Sequence, residues 1–352
     1  MQYILFCILV VLSISAFSQT DDEEAIHALD SQSCHSKIVE AKRDYYRRTY
    51  PDILFVIFKG GDETLDDMVV LDTLLGPNPV NLDYEHPNEL REDLMIVSAG
   101  RVWFMLQNSI PSATLFKADN PLGWQEHICV VTLDPCVVAS SNLDATGYML
   151  ELPIEELQNV PEEMCLDKED CIEFTIDHEA YHCLKSMYVG PQTMSSHTLW
   201  GEYNHYLEEK GADAFALAMH IRKHNRLTPF AENITRIRGA SLLNADPNHF
   251  TCDALKQMSH IPIEELTNMT DAEVFNLANQ IKKERTISYD EYLDYLAAAI
   301  SAIKILESEN ANLSSLEEKI KGVKVNQDLV KKLVESSRSC LSELQIQKKF
   351  EK

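Results

Sequence analysis

The segment Asp177-His178-Glu179-Ala180-Tyr181-His182 reads H-E-x-x-H. On a helix, residues four apart lie one turn apart on one face, so His178 and His182 can grip a single metal ion. Glu179 then lies beside the ion without having to ligate it, which is the place for a general base acting on water. A zinc ion in a catalytic site takes three protein ligands and leaves a fourth position for water, so a third ligand must come from elsewhere in the chain. The implied chemistry is a one-zinc hydrolysis. The ion lowers the pKa of water and polarises a carbonyl, and Glu179 takes the water proton and hands it to the leaving group.

These residues need two helices to hold them. For the first, Asp167 is the predicted N-cap, Asp170 stands at the capping-box position, and Gly190-Pro191 is the stop. Ile172, Ile176, Ala180, Cys183, Leu184 and Met187 give it an apolar stripe. A second helix is predicted from Glu202 to about His224, with Glu202, His205, Glu209, Asp213 and His220 recurring at helical spacing along one face. A solvated surface produces such a face, and so does a helix turned toward a metal. Glu202, Glu208 and Glu209 are candidate third ligands. Tyr203, His205 and His220, with Tyr181, are candidate donors to a developing oxyanion. His197, His249 and His260 stand isolated in polar surroundings and read as surface residues.

The spacing excludes the metzincin pattern H-E-x-x-H-x-x-G-x-x-H, because Lys185 and Tyr188 stand where its glycine and third histidine belong. Glu209-Lys210-Gly211-Ala212-Asp213, followed by Ala214-Phe215-Ala216, instead resembles the E-x-x-[AS]-D segment of gluzincin metallopeptidases. The resemblance covers residues 178–216. It implies a zincin-like fold, a peptide or protein substrate, Glu209 as third zinc ligand, and Asp213 fixing a ligating histidine by a hydrogen bond. Glu202 remains the alternative ligand. It follows His182 at the separation of thermolysin-like enzymes, but Tyr206 stands where their aspartate would be, and Glu208 has Ala212 at that place.

The 352 residues carry a formal net charge of -25, which argues against a nucleic-acid groove. An apolar run from Tyr3 to Val11, then Ala16-Phe17-Ser18, predicts a signal peptide over 1–18 and an exported, periplasmic or secreted protein. No later segment is long and apolar enough to span a membrane. Eight of the 9 cysteines follow that peptide, so disulfides are expected, with Cys129 and Cys136 able to close a small loop. Cys171 and Cys183 on one helix would stand roughly 18 Å apart and cannot pair. Cys34-His35 is a candidate zinc mask. Asn233, Asn268 and Asn312 head glycosylation sequons.

Strands are predicted at Ile53 to Phe58, Met95 to Ser98, Ile128 to Leu133 and Tyr148 to Leu152, and further helices at Ser36 to Arg48 and Thr64 to Leu75. The fold class is α+β: a mixed sheet in the N-terminal half with an active-site helix, then a mainly helical C-terminal half. The predicted organisation is an acidic lead-in over 19–50, a zincin-like domain over 51–285, and a helical extension over 286–352 whose helices can serve a protein partner. Two rival readings stand beside the peptidase: a zincin-like module that binds protein without turnover, and a structural or adhesion protein with an accidental H-E-x-x-H.

Overall fold

The structure, a computed structural model, describes residues 36–58, 80–81, 111–118, 126–133, 138–150, 157, 160–190, 199–244, 246–306, 313, 317–318 and 320–343. The predicted signal peptide, the lead-in up to residue 35, the helix at Thr64 to Leu75 and the strand at Met95 to Ser98 lie outside these residues, as do Cys34, Cys136 and His197. The chain divides into two compact units, residues 1–82 with 86–135 and residues 83–85 with 136–352.

In the first unit, helix α1 (Ser36–Thr49) leads into strand β1 (Ile53–Phe58). Strands β3 (Ser112–Lys117) and β4 (His127–Thr132), with the two-residue β2 (Val80–Asn81), complete a mixed sheet in the order β1-β4-β3-β2. β1 runs parallel to β4 with Ile53 opposite His127, while β3 is antiparallel to both β4 and β2. β4 is central, and its run Ile128 to Thr132 is buried at successive residues, so both faces of the strand are covered. Among the described strands β1 lies at one edge of the sheet. Tyr46 of α1 stacks on Phe55 with ring centroids 4.9 Å apart, and Arg47 Nε donates to the Phe55 carbonyl at 3.0 Å. α1 thus packs on β1 through both a side-chain and a main-chain contact.

The second unit is helical. Its elements are α2 (Asn142–Leu150), α3 (Lys168–Tyr188), α4 (Leu199–His224), α5 (Pro229–Gly239), α6 (Cys252–Ser259), α7 (Ile263–Asn268), α8 (Asp271–Glu284), α9 (Tyr289–Leu306) and α10 (Gln327–Glu343). Short 3₁₀ turns precede α3 and follow α5. The fold is thus α+β, a small mixed sheet followed by a mostly helical remainder. Among the described residues no helix is long and apolar enough to cross a membrane.

The predicted strand from Tyr148 is a correction: through Leu150 this stretch belongs to α2. Ser141 Oγ accepts the Asp144 backbone N–H at 3.1 Å and donates to the Asp144 carboxylate at 2.6 Å. This N-terminal clasp starts a helix ahead of the apolar residues that read as a strand. α3 begins as its sequence predicts, with the Asp167 carboxylate accepting from the backbone N–H groups of Glu169 and Asp170, both at 3.0 Å. Asp170 does not close a capping box; its side chain turns to α4.

α4 is the axis of the unit. From Tyr206 to Ile221 every residue is buried, so the helix has no solvated face there. Its polar residues therefore require partners. Glu208 has Lys282 and Lys185, Lys210 has Asp253, and His220 has Thr228. Glu209 and Asp213 meet the histidines of α3. The tyrosines Tyr292 and Tyr295 of α9 pack on Tyr206, with ring centroids 5.3 Å and 5.2 Å away.

The sequon at Asn233 is buried, and its amide donates to the Glu163 carbonyl at 3.1 Å, so it is no glycan acceptor. Cys129 and Cys183 each take part in a disulfide, while Cys165 and Cys171 are free thiols.

Candidate metal centre

α3 and α4 pack side by side in opposite directions. Lys185 meets Glu208, His182 and His178 meet Glu209, His178 meets Asp213, and Asp170 meets His224. Gly211 makes this possible. A Cβ there would collide with the Tyr181 hydroxyl, so the glycine lets the two helices approach at the level of the cluster. The Tyr181 hydroxyl in turn donates to Asn279 Oδ1 of α8 at 2.9 Å, which pins the middle of α3 from behind.

At this level His178 Nε2 and His182 Nε2 are 3.4 Å apart. Glu209 Oε2 is 2.9 Å from His178 Nε2, and Glu209 Oε1 is 3.6 Å from His182 Nε2. Ligands about 2.0–2.2 Å from a tetrahedral zinc ion are separated by roughly 3.4 Å, so the three groups are spaced as ligands of one small ion. All three are deeply placed: Glu209 is 2 % exposed and His178 5 %, with His182 half-buried.

The donor chemistry fits as well. Asp213 Oδ1 accepts from His178 Nδ1 at 2.8 Å, which directs the other ring nitrogen at Glu209 and His182. Glu209 Oε2 is buried and accepts a well-aligned hydrogen bond from no described residue, although imidazole nitrogens stand close to it. Two ring nitrogens and a carboxylate converging at this spacing are a metal-type donor set.

No family model, curated protein or solved structure matches the chain. The chemistry of the site therefore rests on its own residues.

Asp213 is the anchor. It is fully buried, accepts from Arg238 Nη2 at 3.0 Å, from the Thr251 hydroxyl and from His178, and has Arg238 Nε 2.9 Å from its Oδ2 as an ion-pair contact. Burial would raise its pKa, but the Arg238 guanidinium and His178 outweigh it and hold the carboxyl well below the usual carboxylate range. An ionised Asp213 accepts only, so the proton lies on His178 Nδ1.

Four imidazoles surround Glu209. Besides His178 and His182, His205 Nδ1 lies 3.1 Å from Oε1 and His249 Nε2 lies 2.9 Å from Oε2. Against burial, His249, His205 and His178 hold Glu209 well below its ordinary value. Burial likewise opposes a charge on His178, yet Glu209 and Asp213 raise it to about 9, while burial lowers His182 to about 3. Without a cation between them, one histidine is protonated and its neighbour is bare. A divalent ion competes with that proton for the same donors. Glu179 is 6 % exposed, and burial pushes its carboxyl up to about 7, a value suited to a base working near neutrality.

The structure brings His178, His182, Glu209 and Asp213 together. The other predicted residues divide. Glu202 is not with them; its Oε2 accepts from Asn248 Nδ2 at 3.2 Å. Glu208 faces lysines. Of the proposed oxyanion donors only His205 is at the cluster. The Tyr203 hydroxyl donates to the Ile287 carbonyl at 2.6 Å, Tyr181 is committed to Asn279, and His220 is held by Thr228 at 2.6 Å.

His249 is a correction. It is no isolated surface residue but stacks on His178 at 6.0 Å between centroids, and its Nδ1 is paired with Asp246. Asp246 and Glu209 raise its pKa well above the ordinary value against burial. His260 is exposed, as expected. The residues that sequence reasoning missed are Arg238, Asp246, His249 and Thr251. The one local signal among them is the i, i+3 pair Asp246 and His249.

Proposed function

We propose that the protein is an exported, zinc-dependent metallopeptidase of the gluzincin type, with a zincin-like arrangement of its active-site helices. His178, His182 and Glu209 would hold one zinc ion, which when bound lowers the pKa of water and polarises a carbonyl. The single observation that carries this reading is the convergence of two histidine ring nitrogens and the Glu209 carboxylate at ligand spacing, backed by the Asp213 bond to His178.

The chain's own residues supply the rest. Glu179 accepts the proton of the attacking water and delivers it to the leaving amine as the peptide C–N bond breaks. Burial raises its affinity for that proton, so it can both take and return it near neutral pH. Asp213 and Arg238 keep the His178 ring in one orientation and one tautomer. His249, held by Asp246, and His205 balance the negative charge of Glu209 and are the nearest donors for negative charge developing on a substrate.

The test is Glu179→Gln in the full chain, incubated with a mixture of unstructured peptides read by mass spectrometry and assayed for zinc. The expected result is retained zinc and cleavage reduced by about 10²–10⁴-fold. Equal cleavage by the variant would remove Glu179 from the mechanism. Bound zinc with no cleavage by either protein would favour a non-catalytic binding module.

A further inference from the structure

A second group of metal-type donors lies on the same two helices, at the other end. Asp170 belongs to the first turn of α3, and His220 and His224 to the end of α4. His220 follows Glu209 by eleven positions, which places it about 16 Å further along the helix axis. The two histidines are four residues apart on one face, with ring centroids 4.5 Å apart. His224 Nε2 is 2.9 Å from Asp170 Oδ1, and His220 Nδ1 is 3.9 Å from the same oxygen. One ligand atom from each of the three residues lies within 4.8 Å of the others.

The roles of the His220 nitrogens follow from its neighbours. Nε2 is engaged by the Thr228 hydroxyl at 2.6 Å, and that hydroxyl also accepts the Ala231 backbone N–H at the start of α5. Nδ1 is therefore the nitrogen left facing Asp170, at a distance too long for a hydrogen bond. With Nε2 taken by Thr228, Nδ1 is the His220 nitrogen available to a cation held by Asp170. Lys223 is the competing cation: its Nζ is 3.2 Å from Asp170 and 2.9 Å from Glu173. Its side chain is 43 % exposed, so it can leave Asp170 and keep Glu173.

We infer that Asp170, His220 and His224 form a second site for a divalent transition metal, which clamps the first turn of α3 to the last turns of α4. Two imidazoles and one carboxylate suit zinc, copper, nickel or cobalt, and do not suit calcium or magnesium, which take oxygen ligands. The clamp joins the two helices that carry the first cluster without taking any of its residues.

The experiment is a zinc titration of the full chain, stripped with a chelator, by calorimetry with metal content checked by mass spectrometry. The proteins are wild type, His182→Ala, His224→Ala, Asp170→Asn and His182→Ala/His224→Ala. Wild type is expected to bind two equivalents and each single variant one. The double variant should bind at least tenfold more weakly than His182→Ala, and the zinc-dependent rise in Tm seen in His182→Ala should vanish in it. Two equivalents with unchanged affinity in both His224→Ala and Asp170→Asn, or no zinc taken up by His182→Ala, would overturn the second site. One equivalent lost in His224→Ala but kept in His182→Ala would support the second site and count against the proposed catalytic one.

Discussion

Glu208 and Glu209 are neighbours on one helix, and both are 2 % exposed. They face opposite kinds of partner. Glu208 sits 3.0 Å from Lys282 Nζ and 3.6 Å from Lys185 Nζ. Glu209 sits among the imidazoles of His178, His182, His205 and His249. Both arrangements neutralise a buried carboxylate, but they leave different chemistry behind. An ammonium has only hydrogens to offer, so the Glu208 cluster is an ion-pair group that joins α4 to α3 and α8. An imidazole can surrender its proton and present a lone pair, so the Glu209 cluster can exchange protons for a metal. Burial alone therefore does not separate a structural carboxylate from a functional one; the partner's lone pairs do.

The comparison breaks most visibly by substitution at the two glutamates. Glu209→Gln is expected to lose zinc from this centre, and with it all cleavage, while staying folded. Glu208→Gln is expected to keep zinc and lose about 3–5 kcal/mol of stability, because it strands buried lysine charge. Metal content and thermal unfolding of the two variants check this, and zinc retained by Glu209→Gln would end the contrast.

Asp213→Asn comes next. It leaves Arg238 without its charge partner and frees the His178 ring, so zinc affinity should fall about 10–100-fold, read by chelator competition. Gly211→Ala should cost about 1–3 kcal/mol, because its methyl group meets the Tyr181 hydroxyl and pushes α3 from α4. A Tm equal to wild type would show that the close approach is not needed.

The smallest effect is on pH. Glu179 must be ionised to act as a base, so kcat/KM should rise with pH through its pKa and level off above it. Burial sets that value at about 7, and a nearby divalent cation, which favours the carboxylate, moves the limb toward lower pH. Replacing zinc by cobalt should leave this limb in place, and a rate that is flat from pH 5 to 8 would remove Glu179 as the titrating base.

Much of the site is legible because it is local. Two helices with clear caps carry His178, Glu179, His182, Glu209 and Asp213, and helical spacing alone puts each set on one face. The partners that make the cluster unusual are not local. Arg238 lies on α5 and Asp246, His249 and Thr251 in the turn before α6, so only the packing of those segments against α4 brings them in. Glu202 and His220 share the helical periodicity of Glu209, yet they end beside Asn248 and Thr228. A helix buried on all sides has neighbours in every direction, so spacing along it does not say which neighbour each residue meets. In the same way, the apolar stretch from Tyr148 reads as a strand until the clasp between Ser141 and Asp144 is considered.

The most direct test is a crystal structure of the zinc-loaded protein with anomalous diffraction collected at the zinc edge. The account predicts a peak about 2.0–2.2 Å from His178 Nε2, His182 Nε2 and a Glu209 carboxylate oxygen, with Asp213 still bonded to His178 Nδ1. A fully loaded protein with no peak between these three residues, or with Glu202 in place of Glu209, would contradict it.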